Sequence, residues 1–154
     1  MTGNEYQQLS IQTSQRSYGM PTIAYFALGL AGEASEFLEK TLMLSKPTGL
    51  LILDRDEINS AISELGDMLW YFSGILYEMR VPFDVIAFSR DRSERGGMVR
   101  EAASLMVKVG RIVELIKKLY RDDLGEMSSA RQKAIEIQMT EVLTAIVALA
   151  RDLN

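Results

Sequence analysis

The sequence predicts an all-α protein built as an antiparallel helix bundle, and three observations carry that prediction. Apolar residues recur at three- and four-residue steps through most of the chain. No useful stretch alternates with the period of two that a strand requires. Each long periodic run carries one apolar stripe, which must be covered by another helix.

The elements follow in order. A weakly apolar run over Glu5–Arg16 predicts a first helix. Pro21 opens the next, from Thr22 to about Ser45, on Ile23, Phe26, Leu30, Ala34, Phe37 and Leu42. Pro47 and Gly49 break it, because proline neither donates nor fits inside a helix. The apolar run Leu50–Leu53 is too short to assign to either period. Asp54 with Glu57 forms a capping-box pattern and starts a helix to about Met79 on Ile58, Ile62, Leu65, Leu69, Phe72 and Leu76. Pro82 predicts a shorter helix to about Arg95, closed by Gly96–Gly97. A fourth run spans Met98 to Tyr120 on Ala102, Met106, Val109, Val113 and Ile116. Ser129 with Gln132 predicts the cap of a last helix to about Leu153.

The 154 residues suit one domain, so residues 1–154 are read as a single all-α unit. Seventeen basic residues against 21 acidic ones give a net charge of −4, which offers no footprint for nucleic acid. The chain has no cysteine, which excludes disulfides, zinc–thiolate sites and thiol nucleophiles. It has no histidine either, which removes Ser–His–Asp triads, the commonest general base and every imidazole metal site. Chemistry is left to carboxylates, hydroxyls, Lys and Arg, and metals that prefer oxygen. The first twenty residues hold no apolar signal core, and no apolar run approaches the ~20 residues of a membrane span. The expectation is a cytoplasmic protein with no membrane partner.

Four acids on two helices are the informative feature. Glu33 and Glu36 stand three apart on one helix, and Glu64 and Asp67 stand three apart on the next. Residues i and i+3 lie ~60° apart on one helical face, where two carboxylates repel. Phe26, Leu30 and Phe37 fall within ~60° of Glu33, and Met68 and Ile75 within ~40° of Glu64, with Tyr71 between the second pair of acids. Both pairs therefore border an apolar stripe that faces a partner helix. Unpaired carboxylates in that position are costly, and four that converge make sense around a shared cation. The 27 residues from 37 to 63 give room for an antiparallel hairpin that brings the pairs to one height. Carboxylates without imidazole or thiolate suit Mg²⁺ or Mn²⁺. The plain alternative is a pair of solvated edges with salt bridges to Lys40 or Arg55.

Gly-Leu-Ala-Gly-Glu-Ala-Ser-Glu (29–36) followed by Glu-Leu-Gly-Asp-Met-Leu-Trp-Tyr (64–71) resembles the MazG-like family of all-α nucleoside triphosphate pyrophosphohydrolases, whose superfamily includes the dimeric dUTPases. The likeness covers about residues 20–95, a catalytic hairpin unit. It implies that Glu33, Glu36, Glu64 and Asp67 hold two or three Mg²⁺ or Mn²⁺ ions. It also implies that Tyr71 and Lys40 contact the substrate. Where relatives often carry an Asn followed by Lys and Arg, this chain has Ser89, Arg92 and Arg95 as substrate-side candidates. The implied reaction is hydrolysis of a nucleoside triphosphate to monophosphate and pyrophosphate, for nucleotide-pool control. A purine deoxynucleotide such as dGTP is the expected substrate, and a dimeric or tetrameric homo-oligomer the expected assembly. The alternatives are a dUTPase or dCTPase of the same fold, and a non-catalytic helical interaction module.

Residues 98–154 read as an additional helix pair for packing or an oligomer interface. They echo the first pair: a shift of 78 aligns Gly32, Glu36 and Lys40 with Gly110, Glu114 and Lys118, and a shift of 77 aligns Glu64 with Glu141. Glu33 becomes Arg111 and Asp67 becomes Thr144, so the acidic set is not repeated.

Overall fold

The computed structural model describes residues 1–14, 19–44, 54–86 and 97–153, and no strand occurs among them. The all-α expectation holds. Five α-helices are described: α1 (Gly3–Gln12), α2 (Thr22–Leu44), α3 (Arg55–Glu78), α4 (Met98–Arg121) and α5 (Ser129–Asp152). No described helix is long and apolar enough to cross a membrane.

Helix α2 is the centre of the packing, touching both α3 and α4, while α5 covers α4. Its composition explains the position: Ile23, Phe26, Ala27, Leu30, Ala34 and Phe37 are all buried, too many to serve one neighbour. Phe72, Met68, Ile75 and Leu76 of α3 close the core from one side, and Leu105, Val109 and Ile112 of α4 close it from the other. Burial of each such large side chain contributes roughly 1.5–3 kcal/mol.

Cross-helix contacts fix the direction of α3 against α2. Lys40 meets Ser60 and Glu64, a Cβ at residue 29 would strike Tyr71, and one at residue 74 would strike Phe26. As numbers rise on one helix they fall on the other, so the pair is antiparallel. The Arg111–Glu141 and Arg131–Asp123 ion pairs give the same sense for α4 and α5.

Several predicted boundaries are met. Asp54 caps α3, its carboxylate accepting from the amides of Asp56 and Glu57 while Glu57 accepts from Asp54 N. Three predictions need correction. The first helix, expected over Glu5–Arg16, runs over Gly3–Gln12 and ends with Thr13 as its cap. The helix expected from Pro82 to about Arg95 begins instead with a 3-10 turn over Phe83–Val85, ended by extended Ile86 (φ −80°, ψ 99°), and the rest of that expected helix lies outside the described residues. Its amides serve α1 instead of an α-helix, Phe83 N donating to Gln7 Oε1 (3.3 Å) and Asp84 N to Asn4 Oδ1 (3.0 Å). The cap of α5 is Ser128 rather than Ser129; its hydroxyl accepts from Arg131 N, and Gln132 turns to Glu136 instead. The Leu50–Leu53 run and Arg16 lie outside the described residues.

Helix α1 docks through polar bonds, which its weak apolar pattern does not announce. Thr2 and Glu5 form a reciprocal capping box at its start. Buried Gln7 donates to Val81 O (3.0 Å), and the Ser10 and Ser73 hydroxyls lie 2.8 Å apart. Trp70 Nε1 donates to Ser10 O (3.1 Å) and to Thr13 Oγ1 (2.9 Å). These bonds leave the buried polar atoms of the contact satisfied, so α1 is fixed to the helix that carries half of the acids.

Candidate metal centre

Glu33 on α2 and Glu64 and Asp67 on α3 each bring a carboxylate oxygen to within 4.8 Å of the others. The antiparallel register does this: the sums of facing residue numbers stay near one value, so the i, i+3 pair of α3 arrives at the height of Glu33. Glu64 is buried, Glu33 half-buried and Asp67 exposed, so the group opens from the helix interface toward solvent. Glu36, the fourth predicted acid, is exposed one turn along α2 and stands outside this group of three. Its charge is nonetheless felt at Glu33.

Electrostatics mark the crowding. Burial, a hydrogen bond with Glu64 and the negative charges of Glu36, Asp67 and Glu64 push the Glu33 carboxyl up to about 7 from its usual 4.5. Folded protein therefore holds a proton at Glu33 that unfolded chain has released. This contribution to stability is complete below 4.5 and is lost as pH rises to about 7. In metal-free protein, the melting temperature of wild type relative to Glu33→Gln is expected to fall across that interval. Melts at half-unit pH steps check it, and a constant difference between the two proteins would refute it. A cation held by this group would need the carboxylate, so any Mn²⁺ affinity is expected to rise over the same interval.

Lys40, predicted on the substrate side, is engaged within the chain. Its ammonium donates to Ser60 Oγ (2.8 Å) and forms a tight ion pair with Glu64. One of the salt bridges named by the solvated-edge alternative is thus present, although Glu64 is not solvated.

Tyr71 stands one turn beyond Asp67, packed on the α2 backbone. A Cβ at residue 29 would lie 2.1 Å from its ring, so only glycine admits the ring there. Tyr71 belongs to an aromatic group with Trp70 (centroids 4.9 Å) and Tyr25 (6.0 Å), and Phe26 supports Trp70 at 5.6 Å. Burial, a hydrogen bond with Tyr25 and nearby Glu33 and Asp67 push the Tyr71 hydroxyl up to about 12, which keeps it a protonated donor. Trp70 is held by Ser10 and Thr13, which gives it a packing role against α1.

Compared with known proteins, the chain matches no family model, no curated protein and no solved structure.

Three neighbours of the site escaped sequence reasoning. Ser60 holds Lys40, Tyr25 bonds Tyr71, and Tyr6 of α1 has its hydroxyl raised by burial and by the charge of Asp67. Ser60 lies one turn before Glu64, a spacing that could have flagged it; the Tyr6 contact depends on how α1 docks and has no local signal. Ser89, Arg92 and Arg95 lie outside the described residues.

At the echoed positions of α4 and α5 the chemistry is different. Arg111 faces Glu141 at 3.7 Å where Glu33 faces Glu64, and Glu114 pairs with Lys117 and with Lys118 (3.5 Å). Among the described residues, only Glu33, Glu64 and Asp67 gather as a possible metal-binding group.

The donor set fits a hard cation. Ligand oxygens at ~2.1 Å from an octahedral ion are ~3.0 Å apart when adjacent and ~4.2 Å apart when opposite. Three carboxylates within 4.8 Å of one another approach that range, and a cation would have to draw them closer. All-oxygen donors favour Mg²⁺ or Mn²⁺ over zinc or copper.

Proposed function

We propose that the protein is a Mg²⁺- or Mn²⁺-dependent nucleoside triphosphate pyrophosphohydrolase of the MazG-like, all-α type. The observation that carries the reading is the convergence of Glu33, Glu64 and Asp67 across an antiparallel helix pair. Its sequence frame, G-E-x-x-E followed by E-L-G-D-x-L-W-Y, supports the same assignment. Two glycines add weight. Gly32 and Gly66 each precede an acid of the group, and a Cβ at either would meet nothing within 4 Å. Mid-helix glycines cost about 0.5–1 kcal/mol relative to alanine. Among the described residues no neighbour requires them, and room for a ligand beside the acids gives them a reason.

In this reading Glu33, Glu64 and Asp67 hold the cation, and Glu36 joins the set as the resemblance implies. A bound Mg²⁺ or Mn²⁺ would neutralise charge on the triphosphate oxygens and supply a water of lowered pKa. Glu64, buried and fixed by its neighbours, keeps the site rigid, while exposed Asp67 faces the incoming ligand. The proton released on attack passes to a carboxylate of the same set, since the chain has no histidine. Tyr71, held against Gly29, would exchange its hydrogen bond to Tyr25 for one to the substrate. Ser89, Arg92 and Arg95 are the proposed contacts to the phosphates, and the working assembly is a homo-oligomer.

The test is a panel of ribo- and deoxynucleoside triphosphates with Mg²⁺ or Mn²⁺, analysed for monophosphate, pyrophosphate and orthophosphate. Equal release of monophosphate and pyrophosphate, lost on chelation, is expected, with a purine deoxynucleotide such as dGTP foremost. Preference for dUTP or dCTP would move the assignment within the fold. Orthophosphate release, or no turnover with either cation, would overturn it. The Lys40–Glu64 ion pair favours a second reading, a non-catalytic helical module with neutralised acids. Such a module would show no change in melting temperature on adding Mn²⁺ with nucleotide, whereas an enzyme is stabilised by its ligands.

A further inference from the structure

We propose that Lys40 is the resident counter-ion of the acidic group: its ammonium holds Glu64 until a divalent cation displaces it, and it thereby sets the affinity of the site for that cation. The inference rests on the cation-site reading above. Lys40 leaves α2 one turn beyond Glu36, and Ser60 lies one turn before Glu64 on α3. The ammonium bridges the two helices by donating to Ser60 Oγ at 2.8 Å and to Glu64. The side chain of Glu64 is only 11% exposed and that of Lys40 33% exposed. The acid is therefore fixed and dry, while the base has a way out to solvent.

A buried carboxylate without a cation is heavily penalised, so some positive charge must stay with Glu64. Lysine suits a replaceable charge, being a compact ammonium on a flexible four-carbon stem with three rotatable donors. A divalent ion among Glu33, Glu64 and Asp67 would share Glu64 with that ammonium and repel it. The two cations compete, and the competition is a coupling free energy between them. The stem can withdraw without any movement of α2, which leaves the ammonium at the edge of the site, where a triphosphate needs positive charge.

Titration of Mn²⁺ by calorimetry into nucleotide-free wild type, Lys40→Met and Ser60→Ala tests this. Lys40→Met is expected to bind Mn²⁺ about tenfold tighter, within the range usual for coupled sites. Ser60→Ala, which frees one end of the bridge, should shift affinity in the same direction by less. Metal-free Lys40→Met should melt lower than wild type and gain more on adding Mn²⁺. A lysine that serves only the phosphates would leave nucleotide-free Mn²⁺ affinity unchanged, and an unchanged or weakened affinity in both variants overturns the proposal. If Lys40→Met does not fold, Ser60→Ala decides alone by the same sign. Binding by the variants where wild type shows none is the strongest support. Absence of Mn²⁺ binding in all three proteins removes the cation site itself and this inference with it.

Discussion

Asp67→Asn is expected to abolish triphosphate hydrolysis, by about a thousandfold or more, while the helical circular dichroism stays that of wild type. On the proposed function Asp67 is a metal ligand, and its loss would forfeit several kcal/mol of charge stabilisation in the transition state, each 1.4 kcal/mol being roughly tenfold in rate. The fold should not suffer, because Asp67 is exposed and packs into no core. Metal-free Asp67→Asn should melt at or above wild type, since the change removes a negative charge from beside Glu33. Mn²⁺ should then raise its melting temperature less than it raises that of wild type. Loss of activity together with retained or improved stability marks a group kept for function against its effect on folding. Glu36→Gln, also in the proposed ligand set, should lose hydrolysis as well. Steady-state release of pyrophosphate checks both, and full activity in either variant ends this account of the site.

Much of this was legible because a helix turns a spacing into a position. The i, i+3 acids and the apolar stripes beside them place Glu33 and Glu64 at one helix interface, and the structure has them there. The Asp54–Glu57 cap is equally local: both partners lie within one turn, so the pattern alone determines the bond. Contacts between elements were readable only in outline: the antiparallel pairing of the acid-bearing helices and a salt bridge to Lys40 could be named, but not the exact partners. Lys40 meets Ser60 and Glu64 only because of the register between α2 and α3, which no local pattern encodes. The docking of α1 rests on Gln7, Ser10 and Trp70, polar partners that leave no apolar period. Pro82 satisfies the rule for a helix start, yet the amides that follow are claimed by Asn4 and Gln7 from the far end of the chain. The cap of α5 shifts by one residue, from Ser129 to Ser128, because adjacent serines offer the same chemistry and geometry chooses between them.

Phe26→Ala should have the largest effect on stability, about 3–5 kcal/mol, the usual cost of emptying a fully buried aromatic position. For a chain of this size that lowers the melting temperature by roughly 6–20 °C. The ring also props Trp70 at 5.6 Å and Tyr25 at 5.7 Å, so its loss loosens the aromatic group that seats Tyr71 beside the acids. Gly74 is the other half of this contact. A Cβ there would lie 2.5 Å from the Phe26 ring, closer than packed atoms approach, and the buried ring has no space to yield. Alanine in place of glycine stabilises a helix by about 0.5–1 kcal/mol, but overpacking a core costs about 1–3 kcal/mol. Steric conflict therefore wins in wild type, and Gly74→Ala alone should destabilise by about 1 kcal/mol. In the Phe26→Ala background the obstacle is gone and only the helix preference remains. There the same substitution should stabilise by about 0.5–1 kcal/mol. Urea titrations of the two single variants and the double variant measure the coupling. A change of sign between backgrounds identifies the ring as the reason for glycine at position 74, whereas destabilisation of equal size in both would place the reason elsewhere in the helix pair.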